Sequence, residues 1–371
     1  MTTGASIRIG KVFGIPIGIH ISWFIIFILV ATSLALRQFP HSYPLWSPVQ
    51  YWVTALLTSL LFFLSVLIHE LSHAVVAIRS GIPVRGITLF IFGGVAQIGR
   101  EARSARGEAL IAVVGPLSSL ILGGLFTLLW VFGGSLSEEL RASAGWLAVI
   151  NVALAIFNLM PGFPLDGGRV FRAIVWGITG NFYKATKIAA FVGRAFAYLL
   201  IAGGVWLAFS GNIYNGIWFI FIGLFLDTLA VASYRELKQR NMLRRYNAAA
   251  LMSSEYSAVS KTLSLRQIVE DKLLSKSHRS ALVMGDGILK GLITFSLLKK
   301  VPSSRWDMTT VEMAMIPIPE VYRVEPTENA FQVIEQMDER GMDEVPVVAE
   351  GRVLGVVRRD NLVKFLRSRQ S

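Results

Sequence analysis

Six long apolar runs dominate the first two thirds of the chain, separated by short polar connections. The last third changes to the mixed pattern of a water-facing fold. The runs fall at about 19–36, 51–78, 109–132, 144–160, 188–209 and 214–234. Each is near the ~20 residues with which an α-helix crosses a hydrocarbon core, so the pattern predicts six spanning helices. Pro161, Gly162 and Pro164 cut the fourth run short and predict an unwound segment at its end. Between the second and third runs, residues 86–98 read as two β-rich stretches around a Gly93-Gly94 turn, an apolar hairpin. Beyond residue 235 two similar units follow, each a helical run and then short β-runs. Their glycines, Gly291 and Gly355, are 64 residues apart, which marks an internal repeat. The fold class expected is an α-helical membrane protein, a six-helix bundle with a membrane-associated β-hairpin, followed by an α/β repeat pair. The expected boundaries are a membrane domain over 1–235, a basic linker over 236–250 and a tail over 251–371, whose repeats meet near 306.

Charge sharpens this division. The chain is 53% hydrophobic and 16% charged, and residues 1–234 contain only seven of its 24 acidic side chains. Arg and Lys alternate between connections. One set carries Arg8 and Lys11, then Arg79, Arg85, Arg100, Arg103 and Arg106, then Arg169, Arg172, Lys184 and Lys187, and finally Arg235 onward. The other set carries only Arg37 and Arg141. Positive residues stay inside, so the expectation is a multi-pass protein of the cell (inner) membrane with its N-terminus and tail cytoplasmic. The net charge of +12 is explained by this topology, since the basic residues form no single stripe for nucleic acid. No cleavable signal peptide is evident. The absence of cysteine leaves histidine and carboxylate as the strong zinc ligands.

His69-Glu70-Leu71-Ser72-His73 closes the second run, directly after 18 residues, Tyr51 to Ile68, that contain no charge. Four residues are 400° of helical rotation, so His69 and His73 share a face and can grip one Zn²⁺ beside Glu70. His69 lies ten residues before Arg79, roughly 15 Å below the cytoplasmic edge. A catalytic zinc usually takes a third protein ligand. His20 opens the first span and His41 falls in an external loop. Asp166 fits better, in Asn158-Leu159-Met160-Pro161-Gly162-Phe163-Pro164-Leu165-Asp166-Gly167-Gly168, because a carboxylate at membrane depth is costly unless paired or metal-bound.

These two motifs, at their spacing, resemble the site-2 protease family of intramembrane zinc metalloproteases. Gly14-Ile15-Pro16-Ile17-Gly18-Ile19-His20-Ile21-Ser22-Trp23, Phe92-Gly93-Gly94-Val95 and Gly115-Pro116-Leu117 are similar to family segments too, so that the likeness covers most of residues 8–175. The resemblance implies that His69, His73 and Asp166 bind zinc and that Glu70 is the catalytic acid/base. Ser119 departs from the asparagine the family often has there, a change expected to touch packing more than chemistry. The external loops are too short for a PDZ domain, and the branch implied is the one related to sporulation proteases.

Further expectations follow. Asn158 carries an amide able to donate to substrate or oxyanion, or else to bond neighbouring backbone. The hairpin around Phe92, Gly93, Gly94 and Val95 could hold an unwound substrate as an added strand. Arg194 and Asp227 lie at matching depths of the last two spans and are expected to form a structural ion pair. The tail resembles a pair of CBS domains, a module that often binds adenine nucleotides. The second copy matches well, through Val345-Pro346-Val347-Val348 and on to Leu362. Of the nucleotide signature the first copy keeps Thr294 but has Leu297 for its aspartate. The second has Arg358 and Asn361, with Asp360 one place early. The partners expected are single-span membrane protein substrates, membrane lipid and a second copy through the CBS domains, with no nucleic acid. A CBS-regulated transporter or channel, or a non-proteolytic membrane chaperone, is the alternative. Polar groups spread along a path would favour the first and a missing ligand the second.

Overall fold

The computed structural model describes residues 6–99, 102–133, 137–271, 280–285, 288–361 and 365. Arg100 and Leu362 lie outside them. The chain divides into two compact units, Met1–Arg235 and Glu236–Ser371.

The first unit opens with a β-hairpin that the hydrophobic pattern does not reveal. Strands β1 (Ser6–Val12) and β2 (Ile15–His20) pair antiparallel around Phe13 and Gly14, at φ 51° and 79°. Two successive positive φ values match the right-handed twist of the flanking strands. The expected second hairpin forms from β3 (Val84–Phe90) and β4 (Gly93–Ile98), but its turn is Ile91-Phe92 and Gly93 starts the strand. β2 pairs parallel with β3, so the two hairpins merge into one sheet of order β1-β2-β3-β4 with β4 at an edge.

Among the described residues, six helices are long and apolar enough to cross a membrane. The first starts as α1 (Ile21–Ser33), where His20 Nδ1 accepts from Ser22 N, and continues through a π-helical turn, Leu34–Gln38, into α2 (Phe39–Ser42). The metal-motif helix α3 (Pro48–Arg79) begins with Ser47 and Gln50 in a reciprocal capping box and Pro48 in the first turn, which satisfies its leading amides. Helices α4 (Ala105–Phe132) and α5 (Glu138–Asn158) follow. α5 stops at Asn158, and the chain re-enters a new helix, α6 (Asp166–Thr179), that is too short to span. The expected broken fourth helix is therefore two helices joined by a loop, and Asp166 starts the second. Helices α7 (Phe182–Phe209) and α8 (Ile213–Leu243) complete the unit, with α8 continuing through much of the stretch read as a linker.

Without a hydrophobic drive between helices in lipid, close approach depends on small residues. A Cβ on Gly204 of α7 would meet Ile220 N of α8 at 2.8 Å, so these backbones touch. Arg194 and Asp227 bridge the same two helices at 2.9 Å, and Arg194 also donates to Tyr198 Oη at 2.8 Å. The expected ion pair forms.

In the second unit, a short helix α9 (Ala248–Leu251) precedes the first repeat, which contains β5 (Ala258–Ser260), α10 (Leu265–Glu270), β6 (Ser280–Gly285), β7 (Ile288–Thr294) and α11 (Phe295–Leu298). Then come α12 (Val311–Ala314), β8 (Ile316–Pro317), α13 (Ala330–Arg340), β9 (Glu344–Ala349) and β10 (Arg352–Arg358). Hairpins β6–β7 and β9–β10 repeat at the interval of 64. Each is completed from across the repeat boundary. β8, which leads into the second copy, pairs with β7 of the first. Ser253, at the equivalent place before the first copy, bridges to Val356 of β10. Ser280 and Glu344, equivalent positions, meet at 2.9 Å, which places the pseudo-twofold axis between them.

Candidate metal centre and cleft

Three ligand atoms converge on one point. His69 and His73, one turn apart on α3, are both 4% exposed, and Asp166 comes in from the start of α6. Asp166 Oδ2 lies 3.1 Å from each Nε2, and the two Nε2 atoms are 3.2 Å apart. Atoms bound at 2.0–2.1 Å to a tetrahedral zinc stand roughly 3.3 Å apart, so the triangle already has the size of one face of that polyhedron.

The donor chemistry agrees. His73 Nδ1 contacts the carbonyl of Ile111 at 2.6 Å. A carbonyl only accepts, so Nδ1 carries the proton and the neutral ring presents its Nε2 lone pair inward. His69 Nδ1 is held by Ser119 Oγ at 2.9 Å. Lone pairs and a carboxylate aimed at one point repel unless a cation sits among them. These residues fit a zinc ion.

One face of α4 frames this point. Glu108, Ile111, Gly115 and Ser119 fall on it at intervals of three and four residues. Ile111 and Ser119 orient the two rings. Gly115 leaves space, because a Cβ there would lie 2.7 Å from His69 Nε2 and closer still to His73 Nε2. Glu108, 1% exposed, pairs with Arg172 of α6, whose guanidinium also lies 4.7 Å from the ring centres of Phe163 and Phe182. That pair ties α4 to the helix that starts with Asp166. The sequence reading missed this face. Ser119 acts on a candidate ligand and not on packing alone.

Glu70 lines a cavity of about 770 Å³ together with His69, His73, Asp166, Asn158, Arg169 and the strand Gly93–Ala96. β4 runs directly against it. A Cβ on Gly94 would overlap Glu70 Cγ and come within 3.0 Å of its Cδ. Phe92, in the turn, stacks on Phe225 of α8 at 4.2 Å, and Phe221 and Trp218 of α8 line the cavity too. Asn158 is at the cavity, but its Nδ2 donates to Leu154 O at 3.1 Å, within its own helix. Asn158 and Asp166 belong to different helices, contrary to the expectation of one broken helix.

In the tail, Thr294 caps α11 by accepting from Leu297 N. It lines a second cavity, of about 590 Å³, with Lys299, Lys300, Arg340 and the buried Glu344. Asp360 does not line that cavity; it is exposed and accepts from Asn361 N at 3.0 Å. Arg358, in the hydroxyl position of the second copy, is paired with Glu344 at 3.2 Å.

A triangle of residues that fit a zinc ion, with an adjacent carboxylate, in a bundle of long apolar helices is what a membrane-embedded zinc metallopeptidase requires. Comparison with known proteins agrees. The model of peptidase family M50 matches residues 57–136 and 124–200, and that of the CBS domain matches residues 312–368. A Synechocystis protein, provisionally named a zinc metalloprotease, is 35% identical over 98% of this chain and 96% of its own. Zinc metalloprotease MJ0392 of Methanocaldococcus jannaschii is 28% identical over 97% and 96%. The solved site-2 protease from the same archaeon shares 31% identity over 62% of this chain and 95% of its own, with a TM-score of 0.42. The chain belongs to peptidase family M50, the site-2 proteases, and is a multi-pass intramembrane zinc metalloprotease with a CBS module.

Proposed function

We propose that His69, His73 and Asp166 hold the zinc ion and that Glu70 is the acid–base group of peptide-bond hydrolysis in membrane-spanning substrates. The observation that carries this reading is the triangle of ligand atoms 3.1–3.2 Å on a side, with one histidine tautomer fixed from behind. Zinc, when bound, supplies a Lewis acid that activates water and shares charge on the carbonyl oxygen. Glu70 takes one proton from the attacking water as its oxygen bonds to the scissile carbon, and the carbonyl π pair moves onto oxygen. When that pair returns, the C–N bond breaks and Glu70 hands its proton to the leaving amine.

A peptide bond within a helix is shielded, so the substrate must unwind first. The edge strand β4 can receive it as an added strand, and the contact of Gly94 with Glu70 supports this because a strand paired there would lie beside the acid–base group. Single-span membrane proteins fit such a site. The arginine pattern supports a cytoplasmic N-terminus and tail. The CBS pair is read as a regulatory or dimerising module. The cluster Lys299, Lys300 and Arg340 beside Thr294 favours an anionic ligand such as an adenine nucleotide, with Thr294 in contact and Asp360 apart from it.

The test is Glu70→Gln. It should keep one zinc per chain and abolish cleavage, and membranes containing it should accumulate single-span proteins that the wild type removes. A variant that cuts at the wild-type rate would refute the assignment.

A further inference from the structure

Arg169 lines the catalytic cavity, and among the described residues its side chain donates no hydrogen bond. It lies one turn after Asp166 on α6, and its side chain is 23% exposed. Apart from the three proposed ligands and Glu70, it is the one charged residue among the described lining of the cavity. A guanidinium has five N–H donors. Among the described residues, its one salt bridge is Nε to Glu108 Oε1 at 4.0 Å, beyond hydrogen-bond reach, and its charge also bears on Glu70 in the same cavity. Glu108 is taken up by Arg172, which the rings of Phe163 and Phe182 also hold. The two arginines of α6 thus divide their work. Arg172 neutralises the buried carboxylate, and Arg169 is kept near that carboxylate with its donors free. A cation with open donors in a cavity lined mostly by apolar side chains implies a partner that arrives later.

We propose that Arg169 is a catalytic residue that donates to the scissile carbonyl oxygen as negative charge develops there. The inference rests on the zinc-peptidase reading above. In the attack step the π pair of the carbonyl becomes a lone pair on oxygen, and among the described lining residues, the proposed metal ligands apart, Arg169 is the one that carries positive charge to meet it. Asn158, the candidate suggested by sequence, already spends amide capacity on Leu154 O. A preorganised donor in a water-poor site acts on the transition state more than on the ground state. Glu108 is a positioning residue in this scheme, and Arg169 is the group that touches substrate.

The experiment uses the full-length protein in lipid nanodiscs and two probes. One is a short apolar phosphinic peptide, a tetrahedral anion that imitates the developing charge. The other is 1,10-phenanthroline, a neutral chelator with no need of the arginine. Binding of the phosphinic peptide by the wild type, lost in His73→Ala, checks the zinc reading by itself. In Arg169→Gln, zinc content and phenanthroline affinity should stay within about two-fold of the wild type, while phosphinic peptide affinity falls ~10²-fold, the size of one oxyanion donor. Arg169→Lys should recover roughly ten-fold of that loss, since it restores charge without the planar fork. Unchanged phosphinic affinity in Arg169→Gln overturns the proposal. So does a parallel fall in zinc content, which would make Arg169 part of the scaffold alone.

Discussion

Replacing Gly115 by alanine adds one methyl group at the point where the ligand atoms meet. The new Cβ would lie 2.5 Å from His73 Cε1 and 2.7 Å from His69 Nε2, whereas ordinary contact begins at 3.4 Å. Relief requires at least 0.9 Å of movement by the His73 ring or by α4. The ring has little room, because its Nδ1 is fixed to Ile111 O at 2.6 Å, and Ile111 is on α4 as well. A displacement of about 1 Å in a reacting constellation costs ~10²-fold in rate, and here the methyl also occupies the space of the ion. Zinc per chain, measured by mass spectrometry on detergent-purified protein, should fall from one to below about one tenth, and cleavage should fall by ~10²-fold or more. Gly124→Ala on the same helix is the control, since a Cβ there meets nothing within 4 Å. Alanine favours a helix over glycine by roughly 0.5–1 kcal/mol, so neither variant should be lost to unfolding of α4. A Gly115→Ala protein with full zinc and wild-type cleavage would refute the geometry of the site.

Three other perturbations separate the parts. Gly94→Ala drives a methyl into Glu70 and should lower kcat ~10²-fold while zinc content is unchanged; equal loss of zinc would mean that β4 supports the metal instead. Ser119→Ala removes the partner of His69 Nδ1 and should weaken zinc ~10–100-fold in chelator competition, with Ser119→Asn recovering part of it. Wild-type zinc affinity in Ser119→Ala would count against any role for the hydroxyl. Arg194→Leu strands the Asp227 carboxylate between α7 and α8 and should lower the thermal midpoint in nanodiscs, whereas Arg194→Leu with Asp227→Leu should restore it. A double variant no more stable than the single one would show that the pair does more than neutralise itself.

The parts legible in sequence are those whose physics demands a residue type. Lipid demands long apolar runs, so the six spans were visible. Zinc demands imidazole and carboxylate ligands, so His69 and His73 at helical spacing, and Asp166 in a stretch broken by prolines and glycine, stood out as candidates. What was hidden works through backbone or through absence. Ile111 orients His73 by its carbonyl, which any residue could offer. Gly115 contributes by having no side chain. Strand β2 escaped notice because its apolar residues run on into the first span at Ile19 and His20, and lipid and a buried sheet select the same residue types. α6 was hidden for the opposite reason, since it is amphipathic and no run marks it. Asn158 could not be decided from sequence, because its amide suits an oxyanion while the end of a helix also gives it a near acceptor in Leu154 O, the contact it makes here.

The exchange of lead-in segments between the two tail repeats has a consequence for how this chain can vary. Neither hairpin is finished by its own copy, because Pro317 closes on Gly291 and Ser253 closes on Val356. A truncation near residue 306 would leave β7 without its neighbour and open an edge prone to pairing with other chains. The half-module is therefore not a smaller version of the whole, and gain or loss of a single repeat is barred by aggregation before function is at issue. The copies can diverge in sequence, as Leu297 and Arg358 show, but they are inherited, folded and degraded together.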